Sequence, residues 1–312
     1  MKICVFAVDI MEPTILFSII IPTCHRNDDL AKCLDRLLPD VQTLPSALYE
    51  VIVTDDGSIS TAEPLIRERY AWVHWIAGPC KGPAANRNNG VRPAQGSWLA
   101  FTDDDCLPDP QWLQSYATAI SNDPSRLVFE GRTYVDRQRR SLDETVPLNE
   151  TGGYLWSCNF AIKKDLFQSL KGFDERFIYP AMEDVDLRLR LIEAGYGFSF
   201  VSGAAVCHPW RPKGGWKKLK QHQAATHTYL SIHPHETAAI NSSYYLRWAM
   251  RDLFKVTLPG IVKFRGRGWA SAMLEHLSFL EMAFLLMIRP YLRSTRTPKH
   301  KQDEKTKVTE IY

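Results

Sequence analysis

The sequence predicts an α/β fold: a mostly parallel central sheet flanked by helices, with a helical C-terminal extension. Three observations lead there. Short continuous apolar runs, Phe17-Ser-Ile-Ile-Ile-Pro-Thr23 the clearest, suit strands buried on both faces. These runs alternate with stretches of helical periodicity in a β-α-β-α-β-α-β order as far as Thr102, which demands parallel strands and right-handed crossovers. Two runs end in carboxylates, Asp55-Asp56 and Asp103-Asp104-Asp105, at the strand ends where sheets of this kind bind ligands. The architecture is Rossmann-like.

Phe17 to Thr23 is the first strand. Asp28 or Asp29 can cap a helix whose apolar positions Leu30, Leu34, Leu37 and Leu38 recur at helical spacing. Tyr49 to Thr54 is the second strand, followed by a helix from about Glu63 to Tyr70. Trp72 to Ala77 is the third strand, Ala84 to Gln95 a helix of weak propensity, and Ser97 to Thr102 the fourth strand. Leu127 to Val135 and Tyr154 to Ile162 read as further strands, with a helix from Lys164 to Leu170. A stronger helix runs from about Glu183 to Ala194 and stops at Gly195. Phe198 to Val201 and Ala204 to Cys207 are short strands. After the loop Pro209-Trp-Arg-Pro-Lys-Gly-Gly215 the pattern is helical, and a basic tail begins near Arg293.

A chain of 312 residues with 45% hydrophobic content builds a core without disulfide or metal staples. Its formal charge of +3, from 38 Lys and Arg against 35 Asp and Glu, lacks the dense basic footprint of a nucleic-acid binder. The 7 cysteines are scattered without a CxxC pair, which speaks against structural zinc and for a reduced, cytoplasmic setting. The apolar run from Met1 to Ile10 is too short for a secretory signal, and Met11 offers an alternative start.

Adjacent carboxylates at Asp103, Asp104 and Asp105 repel one another. They form either a solvated acidic turn or an oxygen site for a hard cation such as Mg²⁺ or Mn²⁺. Asp55-Asp56-Gly-Ser58 can accept hydrogen bonds from a base or ribose, and is also ordinary turn chemistry. Neither GxGxxG nor GxxxxGK[ST] is present, so a bound diphosphate would rely on metal and on Arg or Lys. Glu183 and Asp184 open a helix, where carboxylates serve as caps or, facing a cleft, as a general base. Asp186 and Arg190, spaced i,i+4, read as a surface pair.

Taken in order, Ile20-Ile-Pro-Thr-Cys-His-Arg26, Asp55-Asp-Gly-Ser58, Gly82-Pro-Ala-Ala-Asn-Arg-Asn-Asn-Gly90, the Asp103 to Asp105 triplet, Gly172-Phe-Asp-Glu175 and Glu183-Asp184 carry a resemblance. Phe17 to His208 resembles a family 2 inverting nucleotide-sugar glycosyltransferase with the type A glycosyltransferase fold. The resemblance implies that Thr23 and Asp56 hold the nucleoside, with Arg26 and Arg87 lining the same pocket. It places Asp103 and Asp104 at the start of the DxD element, beside ribose and metal. Asp105 and His208 then bind Mg²⁺ or Mn²⁺, Asp184 is the catalytic base, and Glu183 stands on the acceptor side. A lone His is otherwise structural, and that alternative stays open for His208.

The implied reaction moves one sugar from a nucleotide diphosphate donor, by default a UDP-sugar, to a hydroxyl of a glycan or lipid-linked glycan, with inversion. The setting is cell-surface glycan or polysaccharide assembly. The implied division is an extension over 1–16, a catalytic domain over 17–213 (nucleotide-binding half 17–105, acceptor half 106–213), a helical extension over 214–292 and a basic tail over 293–312. Lys171 departs from the usual Gly-Gly-Phe-Asp. Tyr244-Tyr-Leu-Arg-Trp248 falls short of the QxxRW element of processive synthases, which points to a non-processive enzyme. A sugar-nucleotide nucleotidyltransferase would need a Gly-rich basic loop after the first strand, and Pro22-Thr-Cys-His-Arg26 is not one. The intact Asp103 to Asp105 and Asp184 argue against an inactive binding homologue.

Ala270 to Ile288 is the most apolar stretch, but Glu275, His276 and Glu281 interrupt it. Acidic residues inside a span cost about 2.5–3.5 kcal/mol each, so a transmembrane helix is not expected. Ser271, Glu275 and Ser278 form the polar stripe of a helix packed on a domain. Upstream, basic residues interleave with Trp248 and Trp269, the pattern of peripheral contact with an anionic membrane or of an ordinary helical extension.

Overall fold

Three consecutive isoleucines put strand β1 (Phe17–Thr23) where both faces are covered, and Ile19, Ile20 and Ile21 are fully buried. The computed structural model describes residues 14–288. In it, β1 pairs in parallel with β2 (Tyr49–Asp55) on one side and β4 (Trp98–Thr102) on the other, and β2 pairs in parallel with β3 (His74–Ala77). Helices α1 (Asn27–Asp35), α2 (Glu63–Arg69) and α3 (Pro83–Val91) make the crossovers. The register sets Thr23 beside Asp55, so the carboxyl ends of β1, β2 and β4 emerge along one edge.

Beyond β4 the sheet is mixed. It continues through β5 (Leu107–Pro108), β6 (Val128–Tyr134), β8 (Asn159–Lys163) and β9 (Ser199–Cys207), in the order β3-β2-β1-β4-β8-β6-β9-β5. Strand β8 runs antiparallel to both β4 and β6, whereas β9 runs parallel to β6. A small ribbon joins β7 (Glu144–Thr145) to β10 (Arg211–Pro212). Helices α4 (Trp112–Asn122), α5 (Lys164–Ser169) and α6 (Glu183–Glu193) pack on this half. The extension comprises α7 (Trp216–Ile232), α8 (Ser242–Asp252), a wider turn over Leu253–Thr257, α9 (Leu258–Lys263) and α10 (Trp269–Ile288). Met11 and the basic tail expected from Arg293 lie outside the described residues.

Several expectations are corrected. The two short strands after Phe198 are one strand, β9, and its register against β6 shifts between Gly131 and Arg132. The strand expected over Tyr154 to Ile162 begins only at Asn159. Before it, the N–H groups of Gly153, Tyr154 and Leu155 turn inward onto the Glu130 carboxylate instead of a neighbouring strand. Helix α3 ends at Val91, not Gln95, because Pro93 has no N–H with which to continue the helical ladder. Neither Asp28 nor Asp29 caps α1; both lie in its first turn, behind Arg26, which makes no side-chain cap. Lys171 adopts the left-handed backbone that glycine would take there (φ 63°), and Gly172 follows at φ 67°, so the turn is kept at a cost of about 1–2 kcal/mol.

Candidate active site

The acidic ends of β2 and β4 divide into carboxylates that hold the protein and carboxylates that face outward. Asp55 is internal: it accepts from the N–H groups of Gly57 and Ala62, the Thr61 hydroxyl and the Trp75 indole, and so shapes the loop after β2. Asp56 is half-buried and accepts from the Cys80 N–H at 2.8 Å. Burial raises its pKa, against the opposing pull of the Cys80 and Gly82 N–H groups. A Cβ on Gly78 would come within 2.2 Å of Asp56 Oδ1, so the loop passes this close only because residue 78 has no side chain. Asn86 of α3 closes the arrangement, accepting from the Thr54 hydroxyl and donating to the carbonyls of Thr23 and Thr54.

After β4, Asp104 turns inward. One oxygen accepts from Thr23 Oγ1 (2.8 Å) and the other from Arg26 Nη1 (2.8 Å), and burial pushes its pKa up to about 7. The Thr23 hydroxyl and Asp104 therefore brace each other. Asp105 is half-buried and takes Arg26 Nη1 at 2.9 Å and Arg211 Nη1 at 3.1 Å on a single oxygen, Oδ2.

The other oxygen, Oδ1, lies 3.4 Å from His208 Nε2, and both atoms are buried without a hydrogen-bond partner. The His208 ring stands with Nδ1 at 2.9 Å from the Pro209 carbonyl, a contact that assigns the proton to Nδ1 and leaves a lone pair on Nε2. Two buried acceptors facing each other call for a cation. Carboxylate oxygen and imidazole nitrogen are ligands for Mn²⁺ or Mg²⁺, so the residues fit the expected ion. Cys106 also lies within 4.8 Å of both, but its hydrogen bond with the free thiol of Cys158, together with burial, keeps the thiol protonated.

Across the cleft, Met182 in left-handed conformation (φ 70°) starts α6. Glu183 is buried and points at Arg87 rather than into open space, with Oε1 accepting from Nη1 at 3.0 Å. Arg87, also buried, gives its other nitrogen, Nη2, to Asp103 at 2.7 Å and lies over the Phe173 ring. This guanidinium is therefore a bridge between the end of β4 and the start of α6. Burial and the neighbouring Asp184 push the Glu183 pKa up to about 7, with Arg87 opposing.

Asp184 is less enclosed than Glu183. Its oxygens accept from Val185 N–H (2.9 Å) and Ser157 N–H (3.3 Å). Burial nevertheless raises its pKa, so the helix start does not hold it in the ordinary range. Asp186 and Arg190 do not form a surface pair: the carboxylate is enclosed and Arg190 is half-buried. Asp186 is fully buried and also bonds His233 Nε2 at 2.7 Å, which joins α6 to the end of α7.

Four contributors escape the sequence reading. Arg211 reaches Asp105 from the β7–β10 ribbon, and no motif marks it. Lys218 and His222 of α7 lie near Arg211, and burial pushes the His222 pKa down to about 4. Glu130, in a strand that reads as core, anchors the loop carrying the stacked Tyr154 and Trp156 (5.3 Å) and then Ser157 beside Asp184. Tyr244 and Tyr245 are buried in α8 and Tyr244 stacks on Trp248, so the QxxRW-like segment is packing.

Residues 18–170 match the model of Glycosyl transferase family 2. The chain is 28% identical over 222 residues to glycosyltransferase AglE of Haloferax volcanii, covering 65% of this chain and 70% of that one. It is 30% identical over 260 residues to the pre-mycofactocin glycosyltransferase of Mycobacterium tuberculosis, covering 76% of this chain but 52% of that one. Among solved structures, it is similar to a mannosyltransferase from Pyrobaculum calidifontis in complex with GDP-Man and Mn²⁺, with a TM-score of 0.54 and 17% identity over 92% of this chain and 77% of that one. That likeness establishes the mostly parallel, helix-flanked fold of the type A glycosyltransferases.

Proposed function

We propose, for a chain that belongs to glycosyl transferase family 2, that it moves one sugar from a nucleotide diphosphate sugar to an acceptor hydroxyl with inversion, without processive synthesis. The observation that carries this reading is the Arg87 bridge, which fixes Asp103 of the donor side against the Glu183-Asp184 pair. The nucleoside lies over Asp56 and the end of β1. Arg26 and Arg211, on Asp105, supply the positive charge that meets the diphosphate, a role the buried Arg87 does not take. When bound, a divalent cation held by Asp105 and His208 adds Lewis-acid neutralisation of the leaving diphosphate.

The acceptor lies on the side of Trp156 and Asp184. Its oxygen attacks the anomeric carbon from the face opposite the diphosphate, and the carbon–oxygen bond to the leaving group breaks with its electron pair. The hydroxyl proton passes to Asp184. Aromatic rings beside the base suit the apolar face of a sugar, which favours a glycan or lipid-linked glycan acceptor; UDP-sugars are the first donors to test. The reading accords with a cytoplasmic enzyme of glycan assembly.

One displacement gives one outcome. NMR of the product is expected to show an anomeric configuration opposite to the donor's, and retention would overturn the reaction and the role of Asp184 together. For the cation, Asp105→Asn is expected to remove the gain in UDP affinity that Mn²⁺ confers on the wild-type chain, with the melting temperature little changed. Isothermal titration with and without Mn²⁺ checks this, and an unaltered Mn²⁺ effect would cancel the assignment.

A further inference from the structure

Helix α10 carries its polarity the opposite way from a helix that faces water. Its polar residues point inward: Glu275 pairs with Lys213, Glu281 with Lys220, Ser278 accepts from Gln223 Nε2 at 3.0 Å, and His276 Nε2 lies 3.0 Å from the Thr257 hydroxyl. The outward stripe is apolar throughout. Trp269, Leu277, Leu280, Phe284, Met287 and Ile288 fall on one side at helical spacing, each about half exposed. Helix α8 and the turn after it add an exposed apolar row, Leu246, Met250 and Phe254, flanked by an exposed basic row, Arg247, Arg251 and Lys255. Val262 of α9 is 80% exposed beside Lys263. The single acid from Ser242 to Gly268, Asp252, turns inward to Thr257 and His276. A patch of this kind marks a binding surface.

We infer that this face of α8, α9 and α10 lies in the interfacial plane of an anionic bilayer, apolar side chains inserted and the basic row against the headgroups. Charge selects this occupant. A second copy docked through the same face would set basic row against basic row, whereas an anionic surface complements both rows at once. Among the described residues α10 is the one helix long and apolar enough to cross a membrane. Crossing would tear Glu275 and Glu281 from Lys213 and Lys220, so the helix lies flat on the surface, held from behind by α7. The inference goes beyond the transferase reading and does not depend on it.

Flotation of the full chain, without donor, on phosphatidylcholine vesicles with and without phosphatidylglycerol tests this directly. Binding is expected on the mixed vesicles, and is expected to be weak on phosphatidylcholine alone and to fall at about 1 M salt, where the Debye length shrinks to about 3 Å. Arg247→Glu with Arg251→Glu is expected to weaken binding about 10–100-fold, since each basic residue near the surface contributes roughly a factor of five. Leu280→Glu with Phe284→Glu, both about half exposed and outside the buried core, is expected to abolish it with the melting temperature little changed. Three results would each overturn the inference: unaltered binding by the Leu280 and Phe284 variant, resistance of the membrane-bound chain to alkaline carbonate, or a dimer that fails to float and that this variant converts to monomer.

Discussion

Asp184→Asn is expected to lower turnover about 10²–10⁴-fold, the span of general-base removal, with donor affinity and melting temperature nearly unchanged. The amide preserves shape, and its one carbonyl oxygen can still accept from the Val185 N–H, the shorter of the two contacts, so α6 keeps its start while the longer contact to the Ser157 N–H is given up. What is lost is the capacity to take a proton. The wild-type pH profile supplies an independent check. The base works ionised, and burial raises its pKa, so the acidic limb of kcat is expected above the ordinary carboxylate range. Because Glu183 and Asp184 titrate as a pair, Glu183→Gln is expected to shift that limb to lower pH by removing the neighbouring charge. Turnover of Asp184→Asn within a few-fold of wild type would end the claim. A large loss of donor affinity would place the residue with the nucleotide instead.

Arg87→Met is expected to destabilise the chain by about 3–5 kcal/mol, the usual result of removing one partner from a buried ion pair. Arg87 and Glu183 each keep 5% side-chain exposure, so no water replaces the lost guanidinium. The deficit has a pH signature. Without Arg87 the folded-state pKa of Glu183 rises further above its unfolded value. The folded state then binds the extra proton, and stability falls as pH rises from the ordinary glutamate range through the raised one. Denaturation of variant and wild type side by side is expected to show a gap that widens from acid to neutral pH. Adding Glu183→Gln to Arg87→Met is expected to recover part of the loss at neutral pH; no recovery would mean that Glu183 is not the partner that matters.

The parallel half of the sheet was legible because buried strands and crossover helices leave strong local patterns: Ile19 to Ile21 for β1, and Asp55 and Asp103 as abrupt strand ends. Helix α4 was passed over. Its anchors, Trp112 and Tyr116, both donate to Asn159 Oδ1, a partner far along the chain. The Glu130 loop failed for a related reason, since a run of strand-like residues whose N–H groups satisfy one carboxylate looks locally like a strand. At the site, residue types were readable but orientations were not. That Asp104 faces Thr23, that Arg87 is enclosed and that Asp186 is fully buried all follow from packing between segments distant in sequence. Arg211 was invisible for the plainest reason: a lone Arg on a two-residue strand has no signature until the ribbon brings it to Asp105.

The contact between Asp186 and His233 bears on how such an enzyme is put together. One hydrophobic core runs from Ile20 of β1 to Leu286 of α10, and Tyr229, Leu230, Met282 and Ala283 of the extension sit inside it. A cut near residue 213 would therefore strip side chains from beneath the very helix that carries Asp184 in its first turn, and would leave Asp186 with Arg190 alone where it also had His233. The extension is thus not a detachable module, and swapping it between relatives means swapping the inner surface of α6 with it. Recombination would have to trade the two as a single block.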